Sequence, residues 1–240
     1  MNTEETHSSS SPRSSAGEKT TKVVVARDLW KSFDHGRTPV IEGVSLEIGR
    51  GEMVALWGSS GSGKSTLLHL LSGLDRPDRG EIAILGLDPS CEKTRLQLCR
   101  RHVGFVFQLH NLIPDLTLLE NLRIPCLATG RPSKEADARA CHLAEKVGLS
   151  HRLMSRIQTL SGGERQRTAI CRALMNQPDV IFADEPTGAL DEKSADVVFD
   201  LLLRLVAEEG SSVILATHER RFTRGADRVL HIHQGQAIPL

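Results

Sequence analysis

Residues 58–65 read Gly-Ser-Ser-Gly-Ser-Gly-Lys-Ser, which matches the phosphate-binding pattern G-x-x-x-x-G-K-[ST] in full. Because glycine has no Cβ, the backbone of such a loop wraps closely around a phosphate, and its amide hydrogens point inward. Lys64 would place a cation on the outer phosphates, and the Ser65 hydroxyl would bind Mg²⁺. The predicted nucleotide-binding set is Gly58, Ser59, Ser60, Gly61, Ser62, Gly63, Lys64, Ser65 and Thr66.

Two carboxylates, Asp184 and Glu185, follow the apolar run 180–183. In proteins with such a phosphate-binding loop, an Asp at the end of a strand holds Mg²⁺. The next carboxylate, Glu185, is placed to take a proton from an attacking water. The alternative is a pair of solvated acids at a strand end, which the loop at 58–65 makes the weaker interpretation. These residues therefore predict phosphate hydrolysis.

A second candidate anion site lies at residues 160–166, which read Leu-Ser-Gly-Gly-Glu-Arg-Gln. Ser161 is a suitable helix cap, Gly162 and Gly163 expose backbone amides, and a helix is predicted from about Glu164. From this pattern alone, a capped helix without a ligand is an equally good interpretation.

The elements that position these groups follow from hydrophobic periodicity. The apolar runs at 53–57, 180–183 and 213–216 predict strands covered on both faces, as in a parallel sheet. Leucines between 67 and 74, and apolar residues between 192 and 208, recur at helical spacing. A further helix is predicted with Ser133 as its cap and an apolar stripe of Ala136, Ala140, Leu143, Ala144 and Val147. Strands that alternate with helices indicate an α/β fold.

The domain organisation is read from composition and spacing. Residues 1–21 are rich in Ser and Thr and poor in apolar side chains, which predicts a disordered tail. Residues 22–240 form one domain. The long stretch between Lys64 and Asp184 exceeds a single crossover connection, which predicts an inserted helical subdomain at about 96–172.

Composition excludes several classes of function. The 240 residues include 30 Lys or Arg and 30 Asp or Glu, so the formal net charge is zero. A chain without a basic excess is not expected to bind nucleic acid non-specifically. Aromatic residues make up only 3%, which argues against base-stacking surfaces. No apolar run long enough for a membrane span and no secretory signal are visible, so we expect a cytosolic protein. The five cysteines form no CxxC pair and are expected to be reduced, mostly buried thiols.

The segment 160–166 closely resembles the signature motif of ATP-binding cassette proteins, and the resemblance extends over about residues 22–235. It implies that Gln108 contacts Mg²⁺ and water, and that His218 contacts the γ-phosphate. Residues 188–191, Gly-Ala-Leu-Asp, resemble the D-loop of the family, which places Asp191 at the nucleotide site. Phe33 lies where a family aromatic stacks on adenine. Trp30 is the second choice for that ring and is otherwise expected in the core.

The same resemblance implies the fold and the mode of action. The fold would be a P-loop NTPase of ABC type: a RecA-like core sheet, an N-terminal antiparallel β subdomain and the inserted α-helical subdomain. ATP, with Mg²⁺, would be hydrolysed between two copies of the chain in a head-to-tail homodimer. The loop at 58–65 of one copy would face Ser161, Gly162 and Gly163 of the other.

A membrane permease is the implied partner, with this chain bound peripherally at the cytoplasmic side of the inner membrane. The stretch 108–121 and the helical subdomain would dock on it. Leu112, Ile113, Pro114 and Leu116 either face the permease or pack inside the subdomain.

The motifs are most similar to those of the lipoprotein-releasing and macrolide-exporting branch. Ala189 and the run Arg-Ile-Gln-Thr at 156–159 depart from that branch. The alternatives are an ATPase that drives a periplasmic or cell-wall machine without transport and, less favoured, a nucleic-acid or ribosome ATPase.

The remaining histidines give weaker signals. His231 and His233 share a strand face and could hold a metal, but no third ligand is visible at a suitable spacing. His102 and His110 flank the strand before Gln108 and are expected at the surface.

Overall fold

A computed structural model describes residues 22–34 and 36–240. The Ser/Thr-rich tail predicted at 1–21 lies outside the described residues. Among the residues described, no helix combines the length and the apolar character needed to cross a membrane.

A three-stranded antiparallel sheet forms one layer of the fold. Its strand order is β2-β1-β4, with β1 in the centre. The bounds are β1 (Lys22–Phe33), β2 (Thr38–Gly49) and β4 (Arg79–Ile84). This sheet confirms the antiparallel β layer that the family resemblance implies.

The second sheet has six strands in the order β5-β6-β7-β3-β8-β9. Five are parallel, and the last is antiparallel to β8. The strands are β3 (Met53–Trp57), β5 (Val103–Val106), β6 (Val180–Asp184), β7 (Ser212–Thr217), β8 (Arg228–His233) and β9 (Gln236–Pro239). Every residue of β6 and β7 is buried, which confirms the prediction from their continuous apolar runs.

Within the described residues, six α-helices cover the sheets. They are α1 (Lys64–Ser72), α2 (Glu92–Arg101), α3 (Leu118–Thr129), α4 (Ser133–Lys146), α5 (Gly162–Leu174) and α6 (Glu192–Glu209). Short 3₁₀ turns lie at Ser150–Arg152, Ile157–Thr159 and Arg220–Thr223. The predicted apolar stripe of α4 is buried, but its cap is not Ser133. Pro132 holds the capping position with a non-helical ψ of 138°, and Ser133 is the first helical residue. Proline is tolerated here because a helix start does not need its missing N–H.

Two apolar cores lie on the two faces of the parallel sheet, because successive residues of a strand point to opposite sides. Ile181 and Ala183 pack with α3, α4, α5 and α6, whereas Val180 and Phe182 pack with α1 and the antiparallel sheet. The parallel strands end at one common edge, and the loops that follow β3, β6 and β7 meet there. An open α/β sheet binds its ligands at this edge.

The predictions that Trp30 and most of the cysteines are buried are wrong. Trp30 is not in the core: it is 36% exposed, and its indole N–H donates to Asp28 Oδ1 on the outside of β1. Only Cys126 and Cys171 are buried, whereas the thiols of Cys91, Cys99 and Cys141 are exposed. Burial raises the pKa of the Cys171 thiol to about 12, which makes that thiol inert.

The two histidines expected at the surface are half-buried. The ring Nδ1 of His102 lies 2.8 Å from Asp179 Oδ2. His110 Nε2 is buried without a partner among the described residues. Burial, with the nearby Arg165 charge, lowers the pKa of His110.

Candidate active site

The loop at 58–63 connects β3 to α1, and its glycines are required by close approaches of other backbone segments. A Cβ on Gly58 would lie 2.4 Å from the Ile232 carbonyl oxygen. Gly63 has φ of 100°, and a Cβ there would lie 2.9 Å from the Val40 carbonyl oxygen. Neither position admits a larger residue without a backbone shift, so the loop keeps its shape only with glycine.

Lys64 is the first residue of α1 and is 5% exposed. Its Nζ donates to the carbonyl oxygens of Gly58 and Ser59, at 3.0 and 2.8 Å. The same Nζ lies 3.8 Å from Glu185 Oε1. The loop thus curls around its own lysine, whose charge is held at the N-terminus of a helix, where anions are stabilised.

Ser65 and Asp184 meet as predicted, although they lie far apart in the chain. The Ser65 hydroxyl donates to Asp184 Oδ1 at 2.8 Å. His69, which the sequence analysis missed, places Nε2 3.9 Å from Asp184 Oδ2. The signal for it was available, because His69 follows Ser65 by one helical turn and therefore lies on the same face of α1.

Glu185 follows β6 in a left-handed backbone conformation, with φ of 43°. Its backbone N–H donates to the Ala216 carbonyl at 2.9 Å. Its side chain is almost fully buried, and His218 Nδ1 lies 2.9 Å from Glu185 Oε1. The structure therefore joins the two residues at the ends of neighbouring strands β6 and β7.

Trp57 makes a second contact that was not predicted from the sequence. This last residue of β3 donates its indole N–H to the His218 carbonyl oxygen at 3.2 Å. The indole thus connects the strand before the phosphate-binding loop to the residue beside Glu185. No sequence signal indicated this contact, because it depends on β3 lying next to β7.

A cleft of about 480 Å³ lies between the phosphate-binding loop, Gln108, Glu185 and His218. Gln108 lies in it near the loop at 188, since its Nε2 would be 3.4 Å from a Cβ on Gly188. The lining residues are Val40, Ser60, Gly61, Gly63, Lys64, Ser65, Thr66, Gln108, Glu185 and His218. Nine of these ten are predicted site residues, and Val40 adds an apolar wall that was not predicted.

Nine predicted site residues do not line this cleft: Phe33, Gly58, Ser59, Ser62, Ser161, Gly162, Gly163, Asp184 and Asp191. Of these, Gly58 and Ser59 hydrogen-bond to Lys64, and Asp184 hydrogen-bonds to Ser65. Phe33 is 45% exposed at the end of β1, with Lys31 Nζ 5.6 Å from the ring centroid. Asp191 caps α6 by accepting the Ser194 N–H at 3.1 Å. That hydrogen bonding with Ser194 lowers the pKa of Asp191.

Ser161 caps α5 through a reciprocal pair of hydrogen bonds. Its Oγ accepts the Glu164 N–H at 3.2 Å, and Glu164 Oε2 accepts the Ser161 N–H at 2.8 Å. The Ser161 N–H is also the main reason that the pKa of Glu164 is lowered. The helix begins at Gly162, two residues earlier than predicted, so the amides of both glycines lie in its first turn.

Residues 41–188 match the sequence profile of the ABC transporter family, and this range is more than half of the chain. The chain belongs to the ABC transporter family. It is therefore an ATP-binding cassette, an ATPase of the P-loop class, and the ABC fold accounts for both sheets and the helices between them.

Two similar ABC proteins are both ATP-binding proteins of lipoprotein-releasing systems. The chain is 46% identical over 223 residues to the lipoprotein-releasing system ATP-binding protein LolD of Xanthomonas oryzae pv. oryzae (strain MAFF 311018), covering 91% of each chain. It is 46% identical over 217 residues to LolD of Legionella pneumophila (strain Paris), covering 89% of this chain and 96% of that one.

Solved ABC cassettes share the fold. One is the cassette MJ0796, solved as a dimer in a post-hydrolysis state bound to ADP and Pi. It superimposes with a TM-score of 0.81 at 35% identity, covering 89% of this chain and 96% of the other.

Proposed function

We propose that this chain couples ATP hydrolysis to the release of lipoproteins from a membrane by a separate permease. The observation that carries the proposal is the similarity, over about nine-tenths of the chain, to ATP-binding proteins of lipoprotein-releasing systems. The chain would then act peripherally at the cytoplasmic side of the inner membrane.

The cleft supports a division of labour in hydrolysis. Glu185 takes a proton from the attacking water, because its carboxylate lines the cleft, whereas that of Asp184 is bonded to Ser65. His218 holds that carboxylate by its Nδ1 and contacts the γ-phosphate. Lys64 stabilises the charge of the outer phosphates at the start of α1. Gln108 orients the water, and Phe33 offers a ring face to the adenine.

The residues at the end of β6 fit Mg²⁺. Ser65 Oγ and Asp184 Oδ1 lie 2.8 Å apart, and hydroxyl and carboxylate oxygens are the donors that Mg²⁺ prefers. Ser65 and Asp184 would hold the ion together with the side-chain oxygen of Gln108. When bound, Mg²⁺ neutralises negative charge on the β- and γ-phosphates.

Asp184→Asn tests the metal assignment. We expect the Mg²⁺ concentration for half-maximal ATPase activity to rise about tenfold or more, since one charged oxygen is lost. EDTA should abolish the wild-type activity. A matched control is Asp179→Asn, because Asp179 lies just before the same strand and pairs with Arg50 and His102. An unchanged Mg²⁺ requirement in Asp184→Asn would remove Asp184 from the metal site.

The proposed working unit is a head-to-tail homodimer. The capped N-terminus of α5 at Ser161 is a second place where an anion is stabilised, and it does not line the cleft of its own chain. In the dimer, a nucleotide bound to the loop at 58–65 of one copy would contact the N-terminus of α5 in the other copy. The dimeric relative with ADP and Pi supports this arrangement.

The proposed permease-docking surface is the stretch 108–121 with the helical subdomain. The predicted apolar residues divide: Ile113 and Pro114 are exposed, whereas Leu112 and Leu116 are half-buried, with Leu112 packed against the helical core. Leu109 adds a further apolar side chain that is 76% exposed. Leu109, Ile113 and Pro114 are therefore the residues offered to the partner.

Co-purification of the chain with its membrane partner, followed by reconstitution, tests the coupling. We expect a permease to be recovered, and ATP to drive lipoprotein release from proteoliposomes. Recovery of a partner that stimulates ATPase activity without releasing lipoprotein would favour the alternative, a motor for a periplasmic or cell-wall machine.

A further inference from the structure

Arg172 in α5 is a half-buried arginine whose side-chain hydrogen bonds, among the described residues, all go to backbone carbonyls. Its Nη1 donates to the Asn111 carbonyl oxygen at 2.6 Å, and its Nη2 donates to the His110 carbonyl oxygen at 2.8 Å. Within 22–34 and 36–240, no carboxylate lies close enough to form an ion pair with it. Burial lowers the pKa of Arg172.

The two carbonyls belong to a strained turn immediately after Gln108. His110 and Asn111 have φ of 64° and 49°, so two successive residues lie in the left-handed region. Non-glycine residues are uncommon in this conformation, although Asn and His adopt it more often than most, so two in succession mark a tight turn whose shape depends on the contacts around it. The turn has two internal hydrogen bonds of its own, from the His110 N–H to the Phe107 carbonyl at 3.2 Å and from the Asn111 N–H to the Leu109 carbonyl at 2.7 Å. The guanidinium is the side chain that fixes it from outside.

The far end of the same segment is held independently by Asn121, which is fully buried in α3. The Ile113 N–H donates to Asn121 Oδ1 at 2.8 Å, and Asn121 Nδ2 donates to the Ile113 carbonyl at 3.1 Å. Leu112 is also held, because it packs against the helical core. Loss of Arg172 would therefore free residues 109–111 without releasing the segment beyond them. The residue that would move with this freed turn is Gln108.

We propose that Arg172 is a positioning residue for Gln108, which it holds in the nucleotide cleft by fixing the left-handed turn at 110–111. This inference rests on the role proposed above for Gln108. A planar guanidinium suits the task because it donates two parallel hydrogen bonds to adjacent carbonyls, which a lysine ammonium does not reproduce.

A double-mutant cycle on ATPase activity tests the inference with Gln108→Ala, Arg172→Ala and the combined variant. If Arg172 acts through Gln108, Arg172→Ala lowers kcat by about 10- to 10²-fold, the usual cost of displacing a group at the reacting centre by about 1 Å. The KM for ATP changes less than about twofold, because the phosphate loop keeps its contacts. In the Gln108→Ala background, the same substitution has little further effect. Arg172→Lys restores part of kcat.

Arg131→Ala is the matched control. Arg131 is also half-buried and also donates to a backbone carbonyl near the end of α5, that of Met175 at 2.9 Å. It does not contact the turn at 110–111, so its effect on kcat should be equal in both Gln108 backgrounds. Thermal unfolding of all variants separates loss of fold from loss of positioning.

Each outcome decides a different point. Additive effects of Arg172→Ala and Gln108→Ala on kcat overturn the positioning role of Arg172. If Gln108→Ala alone leaves kcat unchanged, the role of Gln108 in the proposed mechanism fails, and the role of Arg172 fails with it. If Arg172→Ala does not fold, the cycle is read from Arg172→Lys, for which additivity is again the contrary result.

Discussion

Replacing Glu185 with Gln is expected to lower kcat for ATP hydrolysis by about 10²–10⁴-fold, the usual contribution of a general base. The amide has nearly the shape of the carboxylate and keeps an oxygen that can accept from His218, but it cannot take a proton from water. ATP binding should survive because the hydrogen bonds of Lys64 to the Gly58 and Ser59 carbonyls are unchanged. We therefore expect a stable ATP-bound dimer, measured by light scattering at saturating ATP beside a phosphate-release assay.

The control for this substitution is Glu219→Gln. Glu219 lies one residue after His218, but its carboxylate pairs with Arg221 at 2.8 Å, outside the cleft. Its kcat should stay close to that of the original chain. Turnover by Glu185→Gln within tenfold of the original would assign the base to another group, and a variant that stays monomeric would contradict the shared nucleotide site.

Replacing Lys64 with Ala is expected to weaken ATP binding by about 10²-fold or more, since charged hydrogen bonds to a ligand are worth about 1.5–3 kcal/mol each. The loss is large because Lys64 is buried at the mouth of the loop, where a lost charge is not replaced by solvent. The carbonyls of Gly58 and Ser59 also lose their shared donor. Titration calorimetry with ATP measures the effect directly.

Two further variants make the Lys64 result specific. Lys93→Ala removes an exposed lysine from α2 and should leave ATP affinity unchanged. Lys64→Arg keeps the charge but introduces a larger planar group into a buried position, so we expect it to bind ATP poorly as well. ATP affinity of Lys64→Ala within threefold of the original would contradict the proposed phosphate contact.

The parts of the site that could be predicted from sequence are those whose spacing is local. The loop at 58–65 needs only glycines, a lysine and a hydroxyl in a fixed order between a strand and a helix. Asp184 and Glu185 are adjacent at the end of a strand of five buried residues. Their approach to Ser65 and His218 follows because parallel strands end at a common edge.

The parts that could not be predicted depend on how distant segments pack. The Trp57 indole finds the His218 carbonyl only because β3 and β7 are neighbours. The contact of Arg172 with the turn at 110–111 requires the packing of α5 beside that turn. The edge strand β9 was missed because its short run of residues carries no strong periodic signal.

The left-handed backbone of Glu185 has a consequence for the evolution of heat resistance. Such a conformation costs a non-glycine residue about 1–2 kcal/mol, whereas Gly and Asn adopt it readily. In a chain selected only for thermal stability, Glu185 would therefore tend to be replaced by Gly or Asn. The free energy of unfolding would rise, and ATP turnover would be lost. Retention of glutamate at this position in a heat-adapted descendant would show that natural selection had acted on turnover as well as on the fold.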